Sequence, residues 1–289
     1  MNTASEVTEF LRSRRARITP KQAGLPSYGE RRVPGLRREE VAALAGVSLE
    51  YYKRLERGNL GGVSDGVLEA LARALQLSEA ERAHLFDLAR AAHPVASTRI
   101  RPIGQRVRPE VLRLLDVINA PAVVRNARLD YLAVNALGRA LYAPLFDGPE
   151  QPANSARFTF LDPAAVDFYV DWDRIADELV ASLRWEAGAH ACDRALQELI
   201  GELSTRSEEF GRRWAAHNVG FHTTGVKRIR HPVVGEVTIG YENVQFTADP
   251  TVTMAIYTAE LGSTSQQALD ILASWAATPD AAASGVEPA

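Results

Sequence analysis

The chain has 289 residues, 46% of them apolar and 24% charged, with one cysteine and a formal net charge of −3. That length and apolar content imply a folded protein of two domains, each able to bury its own core. The single thiol, Cys192, excludes an internal disulfide and suits a reducing cytoplasm, no apolar run reaches the ~18 residues of a membrane span, and the start Met1-Asn2-Thr3-Ala4-Ser5-Glu6 lacks the basic-then-apolar order of a secretory signal.

Charge is unevenly spread. Residues 1–58 hold 12 Lys and Arg against 7 Glu, a balance of +5 that leaves −8 for the remainder. A basic head on an acidic body suits binding to a polyanion, although a solvated helical face gives the same balance.

In chain order, residues 5–17 put Val7, Phe10 and Leu11 on one face with Arg14, which predicts a helix ended by Thr19-Pro20. Residues 19–35 read as a loop rich in Pro and Gly. Its Arg31 and Arg32 either reach phosphates or a minor groove beside a DNA site, or are simply solvated.

The stretch from Leu36 to Gly58 organises what surrounds it. A short helix is expected from Arg37 to Leu44, with Val41, Leu44 and Ala45 as its apolar side. Gly46 supplies a left-handed corner without steric cost, and Val47 fills the angle. Ser48 is placed to cap a second helix that stops at Gly58. The pattern is a helix-turn-helix arrangement, against the plainer alternative of an ordinary helical hairpin.

In such a motif the second helix lies in the major groove. Counting from Ser48, the outward positions are Leu49, Glu50, Lys53 and Arg54, with Tyr51 at the rim. Glu50 can accept from a cytosine amino group and Leu49 can pack on a thymine methyl, while Lys53 and Arg54 suit guanine acceptors or phosphates. Ser64-Asp65 opens a fourth helix over Val67, Leu68, Leu71 and Leu75. The capping box Ser78-Glu79-Ala80-Glu81 opens a fifth that runs to Ala92. Residues 1–93 thus form one helical module.

Residues 94–109, with Arg99, Arg101, Arg106 and Arg108, read as a linker. A second domain is expected over 110–278. It begins with a short helix, two strands at residues 122–125 and 129–134, and a helix capped by Asn135. Helical segments follow at about 162–188, 192–204 and 206–217, by hydrophobic period. Later strands run from Val219 to Ile229, Gly235 to Glu242 and Thr251 to Tyr257, before a closing helix from Ser263 to Trp275. The fold class is therefore α+β: a five-helix bundle followed by about five antiparallel strands with helices on one face. The Ala-rich tail from 279 to 289 is expected to be disordered.

The run Gly35-Leu36-Arg37-Arg38-Glu39-Glu40-Val41-Ala42 and the later Tyr51-Tyr52-Lys53-Arg54-Leu55-Glu56-Arg57-Gly58 resemble the XRE/Cro-like helix-turn-helix regulators, and within them the MmyB-like branch. In the second domain Trp214, His217, Lys227, His231-Pro232, Gly235, Tyr241-Glu242, Asp249-Pro250 and Tyr257-Thr258-Ala259-Glu260 are similar to the same branch. The resemblance implies a C-terminal PAS-like ligand-binding domain and a fatty acid as ligand. It also matches Arg38 to a position that grips a phosphate and braces the first base reader, where many relatives carry Gln. Asn59 matches another contact position. With Arg37 and Ser48 these complete the expected DNA-contacting set.

For the ligand, Trp214, His217, Val237, Tyr241, Met254 and Tyr257 are candidate lining residues, with Arg125 and Asn126 near the opening. Aromatic bodies with polar tips suit an amphipathic molecule; plain core packing explains each residue singly. His217, His222 and His231 fit no zinc spacing, and no nucleophile elbow, phosphate loop or dinucleotide turn is present. Neither a catalytic role, a metal nor a cofactor is expected. The expected protein is a cytoplasmic, homodimeric regulator on an inverted-repeat operator in double-stranded DNA, responsive to a small apolar ligand; in the alternative its second domain only dimerises or binds a protein.

Overall fold

The computed structural model describes residues 3–26, 33, 35–92, 106–148, 151–190 and 193–276. Arg31, Arg32, Arg99, Arg101, Cys192 and the tail lie outside them.

Five helices open the chain: α1 (Thr3–Arg17), α2 (Arg38–Leu44), α3 (Leu49–Glu56), α4 (Asp65–Ala74) and α5 (Glu79–Ala91). Their starts follow from the residues that precede them. Ser78 and Glu81 form the reciprocal capping box at α5, the Glu81 amide donating to the Ser78 hydroxyl at 3.3 Å and the Ser78 amide to the Glu81 carboxylate at 2.9 Å. Ser64 occupies the capping position of α4 without a side-chain bond. Val7, Phe10, Leu11, Val41, Tyr52, Leu55, Leu68, Leu71 and Leu85 fill the common core. Leu44, expected on the apolar side of α2, is 39% exposed, and Ala42 is buried in its place. Gly58 ends α3 with φ +89, and a side-chain carbon there would stand 2.2 Å from the Ala4 carbonyl oxygen. The end of α3 therefore rests on the backbone of α1, which only glycine permits.

The remaining elements are α6 (Pro109–Val117), β1 (Ala122–Asn126), β2 (Tyr131–Val134), α7 (Ala136–Leu141), α8 (Ala143–Phe146), α9 (Ser155–Leu161), α10 (Ala164–Phe168), α11 (Trp172–Ala189), α12 (Arg194–Arg206), α13 (Glu208–Trp214), β3 (Thr224–His231), β4 (Gly235–Phe246), β5 (Asp249–Thr258) and α14 (Thr264–Ala276). The strands form one antiparallel sheet in the order β2-β1-β5-β4-β3. Helices cover both of its faces rather than one. Val111 and Leu115 of α6 pack on Val124, Val252 and Met254. On the other face Tyr257 meets Tyr142, their ring centroids 5.2 Å apart.

The chain divides into two compact units that interleave. One comprises Met1–Arg101 and Asp177–Phe221, the other Pro102–Ala176 and His222–Ala289. Residues 177–221, expected inside the second domain, thus belong with the helical bundle. Val219 is part of the bundle's core, and Trp185 packs against it.

Candidate functional site

α3 has two unlike sides. Ser48 precedes it, and its hydroxyl accepts from the Tyr51 amide at 3.1 Å. Gly46, at φ +67, makes the corner before it. Tyr52, Leu55 and Glu56 are buried. Glu50, Arg54 and Asn59 are exposed, and Leu49, Tyr51 and Lys53 are half-buried. Lys53 Nζ donates to Glu50 Oε1 at 2.7 Å, and the Arg54 guanidinium lies 4.8 Å from the Tyr51 ring centroid. Such exposed contacts contribute little, so a base or phosphate can replace them.

Arg38, expected to grip a phosphate, is held from behind. Its Nε donates to Glu56, whose carboxylate also receives Arg15 Nε at 2.7 Å and the Tyr52 hydroxyl at 3.4 Å. The Glu56 side chain is 2% exposed. Burial alone would raise its pKa, but the hydrogen bonds from Arg15 and Arg38 hold it below the usual carboxylate value. α1, α2 and α3 meet at this one carboxylate, and the Arg38 side chain remains 42% exposed. Arg37 is exposed as well, 3.5 Å from Glu39.

A second buried charge cluster joins α1 and α5 to the 177–221 segment. Arg184, fully buried, donates to the Glu6 carboxylate and to the Trp214 carbonyl, and its guanidinium lies 3.9 Å from the Trp214 ring centroid. Burial opposes ionisation of Glu6, yet the imidazole of His217, 3.6 Å away, and the Arg184 charge bring its pKa down to about 2. His217 adopts φ +52, places Nε2 2.8 Å from Glu9, and offers its carbonyl to Arg14, which also donates to Glu81.

His84 lies beside this cluster, 1% exposed, its ring 5.1 Å from Phe10. Burial pulls its pKa from 6.5 to about 4. The folded unit therefore binds fewer protons than the unfolded chain across that interval, and stability falls as pH drops from 6.5 toward 4. His190 shifts the same way. The readout is thus the difference between proteins: His84→Phe should flatten this stretch of the stability–pH curve in denaturant titrations. An unchanged slope would contradict the assignment.

In the second unit a cavity of 370 Å³ opens beside α7, α14 and the end of β5. Pro121, Leu137, Tyr257, Leu261, Leu269 and Ala273 give it apolar walls, and Asn119, Thr258, Gln266 and Asp270 its polar points. Tyr257 also belongs to a cluster of buried tyrosines with Tyr131, Tyr142 and Tyr169, whose phenols burial pushes upward in pKa. Among the described residues the Tyr142 hydroxyl and the Thr159 hydroxyl have no hydrogen-bond partner.

A helix-turn-helix domain family model matches residues 6–85. The family model of the MmyB-like transcription regulator ligand binding domain matches residues 107–272, more than half of the chain. The chain belongs to the MmyB-like transcription regulators. No curated protein matches it. Both domains of this MmyB-like protein are those of transcription regulators: one binds DNA, the other a small molecule. Among the described residues no helix is long and apolar enough to cross a membrane, and no group of three or more His, Cys, Asp or Glu is arranged to hold a metal ion.

The expected ligand residues of this MmyB-like chain do not form a single set. Trp214 and His217 lie in the first unit, in the Arg184 and Glu6 cluster. Met254 packs with α6, on the sheet face opposite Tyr257, because neighbouring residues of a strand alternate. Asn126 is spent on the turn after β1: its carbonyl oxygen accepts from the Arg128 and Asp130 amides at 2.9 and 3.1 Å. Arg125, Val237, Tyr241 and Tyr257 do share a face by register, and Tyr257 lines the cavity. Reading the sequence missed Glu56, His84 and Arg184. A basic residue set between the apolar Leu183 and Trp185 of α11 was the available signal for Arg184.

Proposed function

We propose that this regulator binds double-stranded operator DNA in the cytoplasm as a homodimer, one α3 in each of two major grooves, and that an apolar, fatty-acyl-like ligand in the second unit changes that binding. The observation that carries the DNA reading is the outward side of α3. Glu50, Lys53 and Arg54 stand on a capped helix whose other side is buried in the core. Two such helices suit an inverted repeat with half-sites ~34 Å apart. Leu49, Glu50, Lys53 and Arg54 would meet base edges. Arg37, Arg38, Ser48, Tyr51 and Asn59, with Arg31 and Arg32 ahead of α2 in the chain, would hold the backbone.

For the ligand, the cavity beside α14 supports an apolar chain. Among the described residues no Lys, Arg or His lines it, so its polar points suit an uncharged end, such as an amide or alcohol, better than a bare carboxylate. A second reading, in which the domain only dimerises, draws on α6, where Leu112, Leu114 and Val117 are 40%, 44% and 71% exposed.

Selection from random duplexes with the full chain, with and without dodecanoic acid or dodecanamide, tests the proposal. Glu50→Ala should cost about 1–3 kcal/mol at one base pair and relax preference there. Arg38→Ala should weaken all sequences alike and reduce the salt slope by about one. Undiminished binding by the double variant would remove α3 as the reader. Operator affinity indifferent to both probes, and to the cavity-filling Leu137→Trp, would favour dimerisation alone.

A further inference from the structure

The first unit contains a second cavity, separate from the one assigned above to the fatty-acyl-like ligand. It measures 60 Å³ and lies among α1, α5, α11 and α12, with Thr3, Glu6, His84, Arg184, Gly188 and Gln197 in its wall. Nothing in the helix-turn-helix pattern or the sheet of the second unit calls for it.

Its wall is unusual in what it leaves unpaired. His84 is 1% exposed, and among the described residues neither its Nδ1 nor its Nε2 has a hydrogen-bond partner. Arg184 is fully buried, and its Nε is likewise without a partner, although its two terminal nitrogens are used by Glu6 and the Trp214 carbonyl. Buried polar groups are nearly always satisfied, by protein or by something bound. A side-chain carbon at position 188 would stand 2.6 Å from His84 Nδ1, so the imidazole is pressed against the bare backbone of α11.

The charges select what could enter. Glu6 is ionised and already neutralises Arg184. An added anion would face Glu6, and an added cation would face Arg184, each at close range and without compensation. An apolar molecule would leave the imidazole and the guanidinium N–H unsatisfied. The uncharged imidazole offers one donor and one acceptor, Arg184 Nε a further donor, and Glu6 a further acceptor. These wants are met by a molecule that both donates and accepts without carrying charge. The space holds a few waters or a solute of about four to six heavy atoms, given that one water needs about 10–15 Å³ of such volume.

We propose that this cavity is a second ligand site, for a small uncharged donor–acceptor molecule such as a primary amide or a short polyol, hydrogen-bonded by His84 and Arg184. A molecule held there touches α1 and α5, which lie within the residues matched by the helix-turn-helix model, and also α11 and α12. Its occupancy would tighten the join between them.

The test uses the full chain with ¹⁵N-labelled histidine, the His84 ring being assigned by its absence in His84→Phe. Acetamide and ethylene glycol should move the His84 ring nitrogens saturably, while acetate and methylammonium should not. Filling the cavity by Ala187→Leu, or by Gln197→Leu if the first does not fold, should weaken the response at least tenfold. No saturable shift, meaning that the space holds water only, would overturn the proposal. So would a response equal in the filled variants, or a preference for acetate or methylammonium.

Discussion

Replacing Glu56 by alanine should destabilise the first unit by about 3 kcal/mol and weaken DNA binding at every sequence. Breaking a buried ion pair costs about 3–5 kcal/mol when the stranded charge stays buried. Here Arg38 is 42% exposed and recovers water, which puts the expected value at the lower end. Arg15 does not: its side chain is 16% exposed and loses its carboxylate partner. The Tyr52 hydroxyl is fully buried with Glu56 as its acceptor. Glu56 sits in the last turn of α3 and bonds to Arg15 of α1 and Arg38 of α2, so its loss also frees the angle at which α3 is presented. The pH dependence follows. The folded pKa lies below 4.5, so the contribution is complete above that value and fades as pH falls through the lowered one. Denaturant midpoints of the full chain, followed by a probe on the helical bundle, measure the effect. A loss under about 1 kcal/mol would show that the carboxylate is not the hub described.

Arg184→Ala should cost a similar or larger amount, about 3–5 kcal/mol. Arg184 has no exposure, and its removal strands the Glu6 carboxylate, the Trp214 carbonyl and the face of the Trp214 ring together. Glu6 titrates at about 2 in the folded protein against 4.5 ordinarily, so it stabilises above pH 4.5 and ceases to as pH falls toward 2. Without Arg184 its pKa climbs, and acid unfolding should begin at higher pH. The pair Glu6→Gln with Arg184→Met should recover most of the loss, since an apolar replacement of a buried ion pair is often neutral. If the double variant is as unstable as Arg184→Ala, packing rather than charge explains the single one.

The parts legible in the sequence were those written in local chemistry. Gly46, Ser48 and Gly58 mark the corner, cap and stop of α2 and α3. Ser78 and Glu81 mark α5, and Asn135 marks α7, its side chain accepting from the Gly138 amide at 2.8 Å. Hydrophobic period states which side of a helix is covered, not by what. Hence α11, α12 and α13 were recognised as helices while their allegiance to the bundle was not. Arg14 shared a face with Val7, Phe10 and Leu11, yet nothing nearby in the chain names Glu81 or the His217 carbonyl as its partners. Alternation in β5 did separate Met254 from Tyr257. Grouping them in one ligand set ran against it, and the structure follows the alternation.

The interleaving of the chain limits how this protein can be cut and recombined. The stretch matched by the helix-turn-helix model ends at residue 85, but partners of its buried charges come from residues 184 and 217. A chimera that grafts the first ninety or so residues onto a foreign sensor would strand Glu6 without Arg184, would leave Arg14 with Glu81 but without the His217 carbonyl, and would expose the apolar surface that Trp185 and Val219 cover. The reading head is therefore not a portable cartridge. An exchange that preserves it must carry the later helices with it, and with them part of the sensor's own sequence.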